Sequence, residues 1–240
     1  MEIQRIDTTS STNDYLLGLN TDREMVVVSS YQTSGKGMGT NTWESEAGKN
    51  LLFSILIHPD WLPIARQYLL SMAEAIALVE VMREVTGDKA FTIKWPNDIY
   101  WQDKKVSGTR IDVNLQGTAI HDMVIGTGIN INQRAFYSDA PNPASLWQIT
   151  GREYDTDDIL QRIIERFERY KAVLQDGGDE DIIAMYHDNL YRRHGMHRYE
   201  DEAGAFDAEL VGVAPNGIMT LRRSDGSLSR YEFKEVKFII

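Results

Sequence analysis

The chain of 240 residues is long enough for one large domain, or for one domain with a small appendage, and its 42% of apolar residues excludes a disordered or fibrous protein. It has no cysteine, which excludes disulfides and cysteine-ligated metal sites. The formal net charge of -11 disfavours electrostatic binding to DNA, and no apolar stretch is long enough for a membrane span. Without a secretory signal pattern at residue 1, we expect a cytoplasmic protein with no DNA or membrane partner.

Residues 1–192 are predicted to mix strands and helices. In chain order, hydrophobic periodicity predicts a helix over 11–19 capped by Ser11 or Thr12, a strand over 25–31, a polar loop over 33–50, a strand over 51–57, a helix over 63–85 that stops at Gly87, strands over 91–94, 98–101, 105–115 and 120–131, a helix over 156–174 capped by Thr156, and a helix over 179–190.

The pattern changes after Gly195. Short strands are separated by two turn signals, at 215–217 and 224–226, which is typical of a small antiparallel barrel. The expected fold class is therefore α+β, with a mixed, mostly antiparallel sheet and helices in a catalytic domain over 1–192, followed by a small β-barrel domain over 193–240.

A glycine-rich segment over 32–39, Gln-Thr-Ser-Gly-Lys-Gly-Met-Gly, follows the 25–31 strand. Successive glycines let backbone N–H groups converge on an anion, and Lys36 adds a positive charge. The spacing is not that of a Walker loop. A flexible surface loop is the alternative, and Trp43 could close over a ligand or anchor the loop on the core.

A second motif, Lys-Trp-Pro-Asn-Asp over 94–98, would end a strand in a rigid turn that presents Asn97 and Asp98. An amide can bind the edge of a base, and a carboxylate can bind magnesium. An ordinary Pro-Asn-Asp turn is the alternative.

Two further motifs lie in the predicted hairpin. Lys105 begins Lys-Val-Ser-Gly and could reach into a cleft, although a solvated lysine at a strand end is the commoner case. Residues 126–132 read Gly-Thr-Gly-Ile-Asn-Ile-Asn, in which a β-bulge would explain the glycines and Asn130 and Asn132 would share one face.

In order and spacing these motifs, together with Ser-Thr-Asn at 11–13, resemble the biotin protein ligase family over nearly the whole chain. The resemblance implies a class II synthetase-like catalytic domain, a C-terminal SH3-like barrel, and a short form without an N-terminal DNA-binding domain. It also implies the activity: ATP-dependent conversion of biotin to biotinyl-5′-AMP, and transfer of biotin to one lysine of a biotin carboxyl carrier protein of acetyl-CoA carboxylase or a related enzyme.

The resemblance assigns roles to individual residues. It implies that the biotin site comprises Ser11, Thr12, Asn13, Gln32, Gly35, Lys36, Gly37, Met38, Lys105 and Gly108. It implies that the ATP and adenylate site comprises Lys36, Trp43, Asn97, Asn130 and Asn132. Lys105 would be catalytic by bridging the biotin carboxylate and the α-phosphate, and Asp98 would assist magnesium or the incoming lysine. The metal expected is magnesium that accompanies ATP, with Asp98 as the candidate ligand.

Two departures from the family pattern stand out. Lys36 takes the place of a loop arginine, with Met38 and Asn41 where a charge is common. Lysine keeps the charge but loses the bidentate fork, so either adenylate retention is weaker or another cation such as Arg110 compensates. The strand after Lys105 is also more polar than the usual apolar run, which affects the local pocket and not the reaction class.

Other functions remain open at this point. A lipoate–protein ligase or octanoyltransferase shares the fold and also modifies a lysine. A non-catalytic biotin-binding regulator is compatible with Lys36 and Met38 in the loop, and an interaction domain is a third alternative. An exposed sheet edge in this fold class could support a homodimer.

Overall fold

The computed structural model describes residues 1–19, 21–39, 41–138 and 140–240. The strands of the larger sheet are β1 (Glu2–Thr9), β2 (Met25–Gln32), β3 (Leu51–Ile57), β4 (Phe91–Lys94), β5 (Asp98–Trp101), β6 (Lys104–Gln116) and β7 (Ala119–Ile129). The helices are α1 (Thr12–Leu17), α2 (Tyr68–Thr86), α3 (Leu146–Thr150), α4 (Thr156–Gln175) and α5 (Asp179–Asp188), with a 3-10 turn at Ile64–Arg66. The strands of the smaller sheet are β8 (Met196–Asp201), β9 (Gly204–Val213), β10 (Met219–Arg223), β11 (Leu228–Tyr231) and β12 (Lys237–Phe238).

The larger sheet has the order β1-β2-β3-β7-β6-β5-β4. Only the β1–β2 pair among these neighbours is parallel, and the other pairs are antiparallel, which confirms the predicted fold class. Its two faces are covered by different helices. Val26 and Phe53 belong to the main core with α2 and α4, whereas Val27 and Leu56 pack with Leu16 of α1. Because both faces are covered, β2 and β3 read as continuous apolar runs and not as alternating ones.

Helix α2 lies at the centre of the main core and is buried on almost every side. It ends at Gly87, whose φ of 74° is the left-handed conformation that glycine adopts without strain. The predicted stop is therefore confirmed. At α4 the cap prediction was wrong by one residue, because the side chain of Asp155, and not Thr156, accepts the N–H groups of Asp157 and Asp158.

Two elements were not predicted. Strand β1 was missed because it is an exposed edge strand with apolar residues at Ile3 and Ile6 only, and its pairing partner β2 is remote in sequence. Helix α3 is a single turn with a capping box between Ser145 and Gln148. In the described part of the chain, no helix is both long and apolar enough to cross a membrane.

The C-terminal strands form an antiparallel sheet in the order β11-β10-β9-β8-β12, joined by both predicted turns. The predicted barrel is wrong in one respect: within the described residues no ladder joins β11 to β12, so the sheet stays open. Strand β12 has two residues and pairs with β8, and the turn over 232–236 connects it to β11.

Hydrogen bonds attach the smaller sheet to the 94–98 turn and to α5. The indole N–H of Trp95 donates to the carbonyl of Gly217 at 2.9 Å, and the N–H of Val213 donates to Nε2 of His187 at 2.9 Å. Burial lowers the pKa of His187, which is consistent with a neutral ring that accepts this bond. The turn over 232–236 consequently lies beside the end of the larger sheet where β4 and β5 meet.

Candidate active site

A cleft of about 600 Å³ opens on the larger sheet, between α1, the glycine-rich loop and the C-terminal turn. Most of the residues predicted to form the site line this cleft: Ser11, Thr12, Asn13, Gln32, Lys36, Gly37, Met38, Trp43, Asn97, Asp98, Lys105 and Gly108. The described structure therefore brings together motifs that lie up to almost a hundred residues apart in the chain.

Glycines of β6 and β7 form a floor without side chains. Gly108 pairs directly with Gly128, and a Cβ atom at either position would crowd Lys105 or overlap the Trp43 indole. A Cβ atom at Gly126 would overlap the Asn13 amide. The β-bulge expected at these glycines was wrong, because the register runs unbroken through 126–128 on both sides of β7. Glycine is required here for the close approach of neighbouring side chains.

A buried polar cluster closes one end of the cleft. The Thr12 N–H and hydroxyl both point at Oε1 of Gln32, at 2.7 and 3.1 Å. The Asn13 amide donates to Oδ2 of Asp112 at 2.7 Å, and the Ser54 hydroxyl lies 2.6 Å from both Thr12 Oγ1 and Asn13 Oδ1. A ligand with both donors and acceptors at its end would find matching groups here.

Ser54 was missed by the sequence analysis. Its signal was a single polar residue within the otherwise apolar β3. It is fully buried and faces α1, on the same side of the sheet as Leu56. Burial without a hydrogen-bond partner would be costly, so a lone serine in such a strand indicates a polar cluster on that face.

Lys105 and Asp98 meet at the middle of the cleft. The Lys105 ammonium lies 2.7 Å from Oδ1 of Asp98 and 5.8 Å from the centre of a Trp43 ring. The Lys105 side chain is about one-third exposed and lines the cleft, so a ligand anion can reach it there. A lysine at this point can neutralise charge on a carboxylate or phosphate.

The 94–98 turn is fixed by its own hydrogen bonds. The Asn97 side-chain amide donates to the carbonyl of Thr109, and the Thr109 N–H donates to the carbonyl of Asn97 at 3.0 Å. The Tyr68 hydroxyl donates to the carbonyl of Pro96. Asn97 is thus tied to the floor strand β6, with its side chain at the cleft wall.

The sequence analysis did not single out Lys94 as a site residue, although it begins the same motif. Its ammonium lies 5.0 Å from the Tyr100 ring centre and 4.9 Å from that of Phe238. Burial lowers the pKa of Lys94, nearby Asp98 raises it, and Lys105 and Arg192 lower it further. Burying an ammonium is unfavourable unless an anion comes close.

The C-terminal segment also lines the cleft. Its contributing residues are Phe233, Lys234, Val236, Lys237 and Phe238. The sequence left open whether the C-terminal domain takes part in the site. Two lysines close to apolar residues near the chain end were the available signal, but sequence alone could not place them beside Lys94.

Three predicted residues lie outside the cleft lining. Gly35 accepts the Trp43 N–H at 2.9 Å and leaves no room for a side chain. The buried Asn130 donates to the Ala144 carbonyl at 3.2 Å, and Asn132 exchanges hydrogen bonds with the Tyr154 backbone at 2.8 and 2.9 Å. These contacts brace loops around the site, and the predicted ligand roles of the three residues stay predictions.

The cleft carries the opposite charge to the chain as a whole. Its described lining holds six cations, Lys36, Lys94, Lys105, Arg110, Lys234 and Lys237, and one carboxylate, Asp98, whereas the whole chain has 25 Lys and Arg against 36 Asp and Glu. Low-dielectric walls with one sign of charge concentrate an oppositely charged ligand. The site is therefore suited to an anion of high charge.

Comparison with known proteins gives a consistent result. Residues 2–130 match the model of the "Biotin/lipoate A/B protein ligase family". The chain is 34% identical over 234 residues to the bifunctional ligase/repressor BirA of Salmonella typhimurium, covering 90% of this chain and 72% of that protein. It is 26% identical over 226 residues to BirA of Bacillus subtilis, covering 92% and 68%. The structure of a biotin protein ligase from Aquifex aeolicus in complex with biotin and ATP superposes with a TM-score of 0.84 at 23% identity, covering 99% of each chain, which shows the same fold.

Proposed function

The chain belongs to the biotin/lipoate A/B protein ligase family, and we propose that it is a biotin–protein ligase. It converts biotin and ATP to biotinyl-5′-AMP and pyrophosphate, and then transfers biotin to a lysine of a biotin carboxyl carrier protein. The observation that carries the proposal is a cationic cleft with a polar pocket at one end, in an otherwise acidic chain.

The first step brings two anions together. A carboxylate oxygen of biotin attacks the α-phosphorus of ATP, the bond to the β-phosphate breaks, and pyrophosphate leaves with the electron pair. Lys105 lies on the glycine floor where both anions can reach its ammonium. Its role is to hold the two groups together and to neutralise the charge that grows between them.

The polar end of the cleft favours biotin over lipoate. The ureido group of biotin has both N–H donors and a carbonyl acceptor, which suit the buried amides and hydroxyls around Asn13, Thr12 and Ser54. The dithiolane ring of lipoate has no N–H donor and no carbonyl acceptor to match these buried groups, which favours biotin at this end of the cleft.

The mixed anhydride of biotin and AMP hydrolyses readily, so water must be kept away until the lysine arrives. Trp43 packs on Gly128 at the cleft wall and is joined to the glycine-rich loop through Gly35. Its indole is the largest apolar surface that this loop brings to the cleft. We assign to Trp43 the exclusion of water from the adenylate.

Magnesium is expected to arrive with ATP. Mg²⁺ commonly binds through substrate phosphates and one or two carboxylates. Asp98 is the carboxylate in the described cleft lining, and no cluster of three metal-binding side chains was found among the described residues. Asp98 therefore fits a role as one protein ligand of a nucleotide-bound ion, which would supply further charge neutralisation.

The organisation of the chain completes the proposal. We infer a catalytic domain over 1–192 and a smaller domain over 193–240. The expectations of a cytoplasmic location, of no DNA partner, and of a homodimer stay predictions. For the last of these, β1 provides an edge strand on the larger sheet.

Biotin-dependent exchange of labelled pyrophosphate into ATP tests the first step, with lipoate and octanoate as competing substrates. Biotin alone should support exchange, and the purified chain should then label a biotin carboxyl carrier domain only when ATP is present. Exchange with lipoate but not with biotin would establish the lipoate-ligase alternative. Biotin binding without any exchange would establish the non-catalytic regulator.

A further inference from the structure

We propose that Glu74 couples nucleotide binding to the uptake of a proton: its neutral form, beneath the glycine floor, favours the anion above it, and its ionised form opposes that anion. The proposal rests on the proposed function for the identity of the ligand. It gives a role in ligand binding to a residue that does not itself line the cleft.

Glu74 is an acid in the middle of the apolar core. It lies in α2 and is 1% exposed, and the other buried residues of that helix are apolar apart from Ser71. No other carboxylate in the described part of the chain is buried to this extent. Burying a carboxyl group costs free energy that an apolar side chain would not incur, so packing alone does not account for Glu74.

Two threonines are the hydrogen-bond partners of Glu74. The Thr127 hydroxyl lies 2.6 Å from Oε1 and the Thr109 hydroxyl lies 3.2 Å from Oε2, with the two hydroxyls 3.2 Å apart. A hydroxyl can either donate or accept a hydrogen bond. The threonine pair can therefore donate to an ionised Glu74 and accept from a neutral one, so both forms fit the same sheet.

The two threonines alternate with the glycines of the floor. Thr109 follows Gly108 in β6, and Thr127 lies between Gly126 and Gly128 in β7. Successive residues of a strand point to opposite faces, so the glycines face the cleft and the threonines face α2. A ligand anion above the floor is therefore separated from the Glu74 carboxyl group by roughly 10 Å, the spacing of packed layers.

The charges on the cleft side of the floor are paired. Lys105 lies 2.7 Å from Asp98, and Arg110 lies 2.7 Å from Asp112. Each pair is close to neutral, so its effect on Glu74 across the sheet is weak. A bound nucleotide adds negative charge at this face, and the field of that charge opposes the ionisation of Glu74.

The titratable groups of the elements around α2 are engaged with other partners. The hydroxyls of Tyr68 in α2 and Tyr186 in α5 lie 2.9 Å apart. Arg166 of α4 donates to Glu80 at 3.1 Å, and Lys94 of β4 packs against two aromatic rings. Burial raises the pKa of Glu74 to about 7 and the two threonine hydrogen bonds lower it, with no contribution from a charged group.

Glu74 is consequently divided between its two forms near neutral pH, where it responds to a new charge. Two unit charges about 10 Å apart, at an effective dielectric constant near 20, change a binding constant by roughly tenfold. The affinity of the wild type for ATP should therefore be highest below pH 6 and fall by roughly tenfold as the pH rises through 7 to 8.5. Over this range the free protein loses a proton that the complex retains.

Glu74→Gln tests the coupling, because glutamine keeps the shape and cannot ionise. In calorimetric titrations with ATP, the variant should match the wild type at pH 6 and bind roughly tenfold more tightly than the wild type at pH 8.5. The titration of ATP itself is common to both proteins and cancels in this comparison. In buffers of different ionisation enthalpy near pH 7.5, the variant should take up about half a proton less per ATP than the wild type.

A second variant moves the transition without removing the acid. Thr127→Val deletes a hydrogen bond that lowers the pKa of Glu74, so the fall in ATP affinity should occur at a higher pH than in the wild type. Glu84→Gln is the matched control, because it removes an exposed carboxylate from the same helix. This control should follow the pH dependence of the wild type.

The same pH dependence and proton uptake in the wild type and Glu74→Gln would overturn the proposal. A loss of ATP affinity in Glu74→Gln by the same factor at every pH would also overturn it, because that result indicates a structural role alone. If the wild type shows no biotin-dependent exchange but takes up the Glu74 proton with ATP, the proposed function fails and the coupling stands. Exchange without this proton uptake would have the opposite meaning, and a wild type that does not bind ATP would end both.

Discussion

The Lys105 ammonium and the Asp98 carboxylate lie 2.7 Å apart above Gly108, which pairs with Asp98 across strands β5 and β6. A side chain at Gly108 would lie 3.0 Å from the Lys105 ammonium and 3.2 Å from Oδ1 of Asp98. The absence of a side chain there lets the pair rest directly on the sheet. Both groups are held ready for an anion before it arrives, which reduces the reorganisation needed during the reaction.

Replacing Lys105 should separate binding from chemistry. We expect Lys105→Met to lower the rate of biotinyl-5′-AMP formation by about 10²-fold or more, the usual cost of losing a group that stabilises transition-state charge. Biotin binding, measured by calorimetry, should weaken less than tenfold, because the polar cluster at the far end is intact. The Lys104→Met variant should resemble the wild type, and a Lys105→Met enzyme with normal adenylation would remove Lys105 from the mechanism.

The contact between Trp43 and Gly128 makes a steric prediction. A Cβ atom at Gly128 would overlap the indole, so Gly128→Ala should displace Trp43 and slow adenylation by about 10- to 100-fold. Gly18→Ala is a suitable control, because its nearest contact would be an ordinary 3.4 Å and its backbone conformation suits any residue. In an enzyme that already carries Trp43→Ala, the Gly128→Ala change should not slow adenylation further. If both effects instead multiply, the two residues act independently.

The glycines of β7 show where sequence reasoning succeeds and where it stops. Most strands and the main helices followed from apolar periodicity, because each buries a face against a neighbour. The reason for Gly126 and Gly128 did not follow, since it lies in Asn13 and Trp43, which reach β7 from distant parts of the chain. A bulge is a local explanation, whereas the real constraint is a tertiary one.

The charged residues of the site also divide into those that local sequence identifies and those that depend on tertiary contacts. The motif at 94–98 identified Asn97 and Asp98. It did not identify Lys94, whose ammonium packs on the ring of Phe238 near the end of the chain. Arg110 could be nominated as a compensating cation from its position in β6. Its engagement by Asp112 could not be foreseen, because residues two apart on a strand share a face without necessarily being in contact.

Ser54 should matter for biotin beyond its effect on stability. Ser54→Ala removes a buried hydroxyl from Thr12 and Asn13 and should destabilise the protein by roughly 1–3 kcal/mol. It should also weaken biotin binding, since Oδ1 of Asn13 and Oγ1 of Thr12 then lose the hydrogen bond that helps to position them. The control is Ser29→Ala, a buried serine that donates to the Tyr31 carbonyl at 2.8 Å outside the cleft lining. Both variants should lose thermal stability, and only Ser54→Ala should lose affinity in calorimetry; equal affinities would dissociate Ser54 from the ligand.

The polar residues of the strand after Lys105 lead to a prediction about pH. Thr109 and Thr127 face one another across β6 and β7, and their hydroxyls lie 3.2 and 2.6 Å from the carboxylate of Glu74 in α2. Burial raises the pKa of Glu74 from 4.5 to about 7, although both threonine hydrogen bonds lower it. The polar strand therefore solvates a buried acid beneath the glycine floor.

The raised pKa of Glu74 determines how the stability of the protein depends on pH. The folded protein holds the Glu74 proton more tightly than the unfolded chain, so the stabilisation is complete below pH 4.5 and is lost as the pH rises through 7. A shift of this size corresponds to about 3 kcal/mol in the free energy of unfolding. Glu74→Gln keeps the shape and cannot ionise. It should therefore match the wild type near pH 4.5 and be more stable than the wild type at pH 8 by about that amount, as measured by denaturant unfolding.

Glu84 provides a control of opposite sign on the same helix. Hydrogen bonding to Arg166 lowers the pKa of this largely exposed carboxyl, so its contribution is present at neutral pH and disappears as the pH falls. Glu84→Gln should consequently be slightly less stable than the wild type at pH 8 and equal to it in acid. If Glu74→Gln differed from the wild type by the same amount at every pH, Glu74 would not titrate in the folded protein, and the threonine pair would serve packing alone.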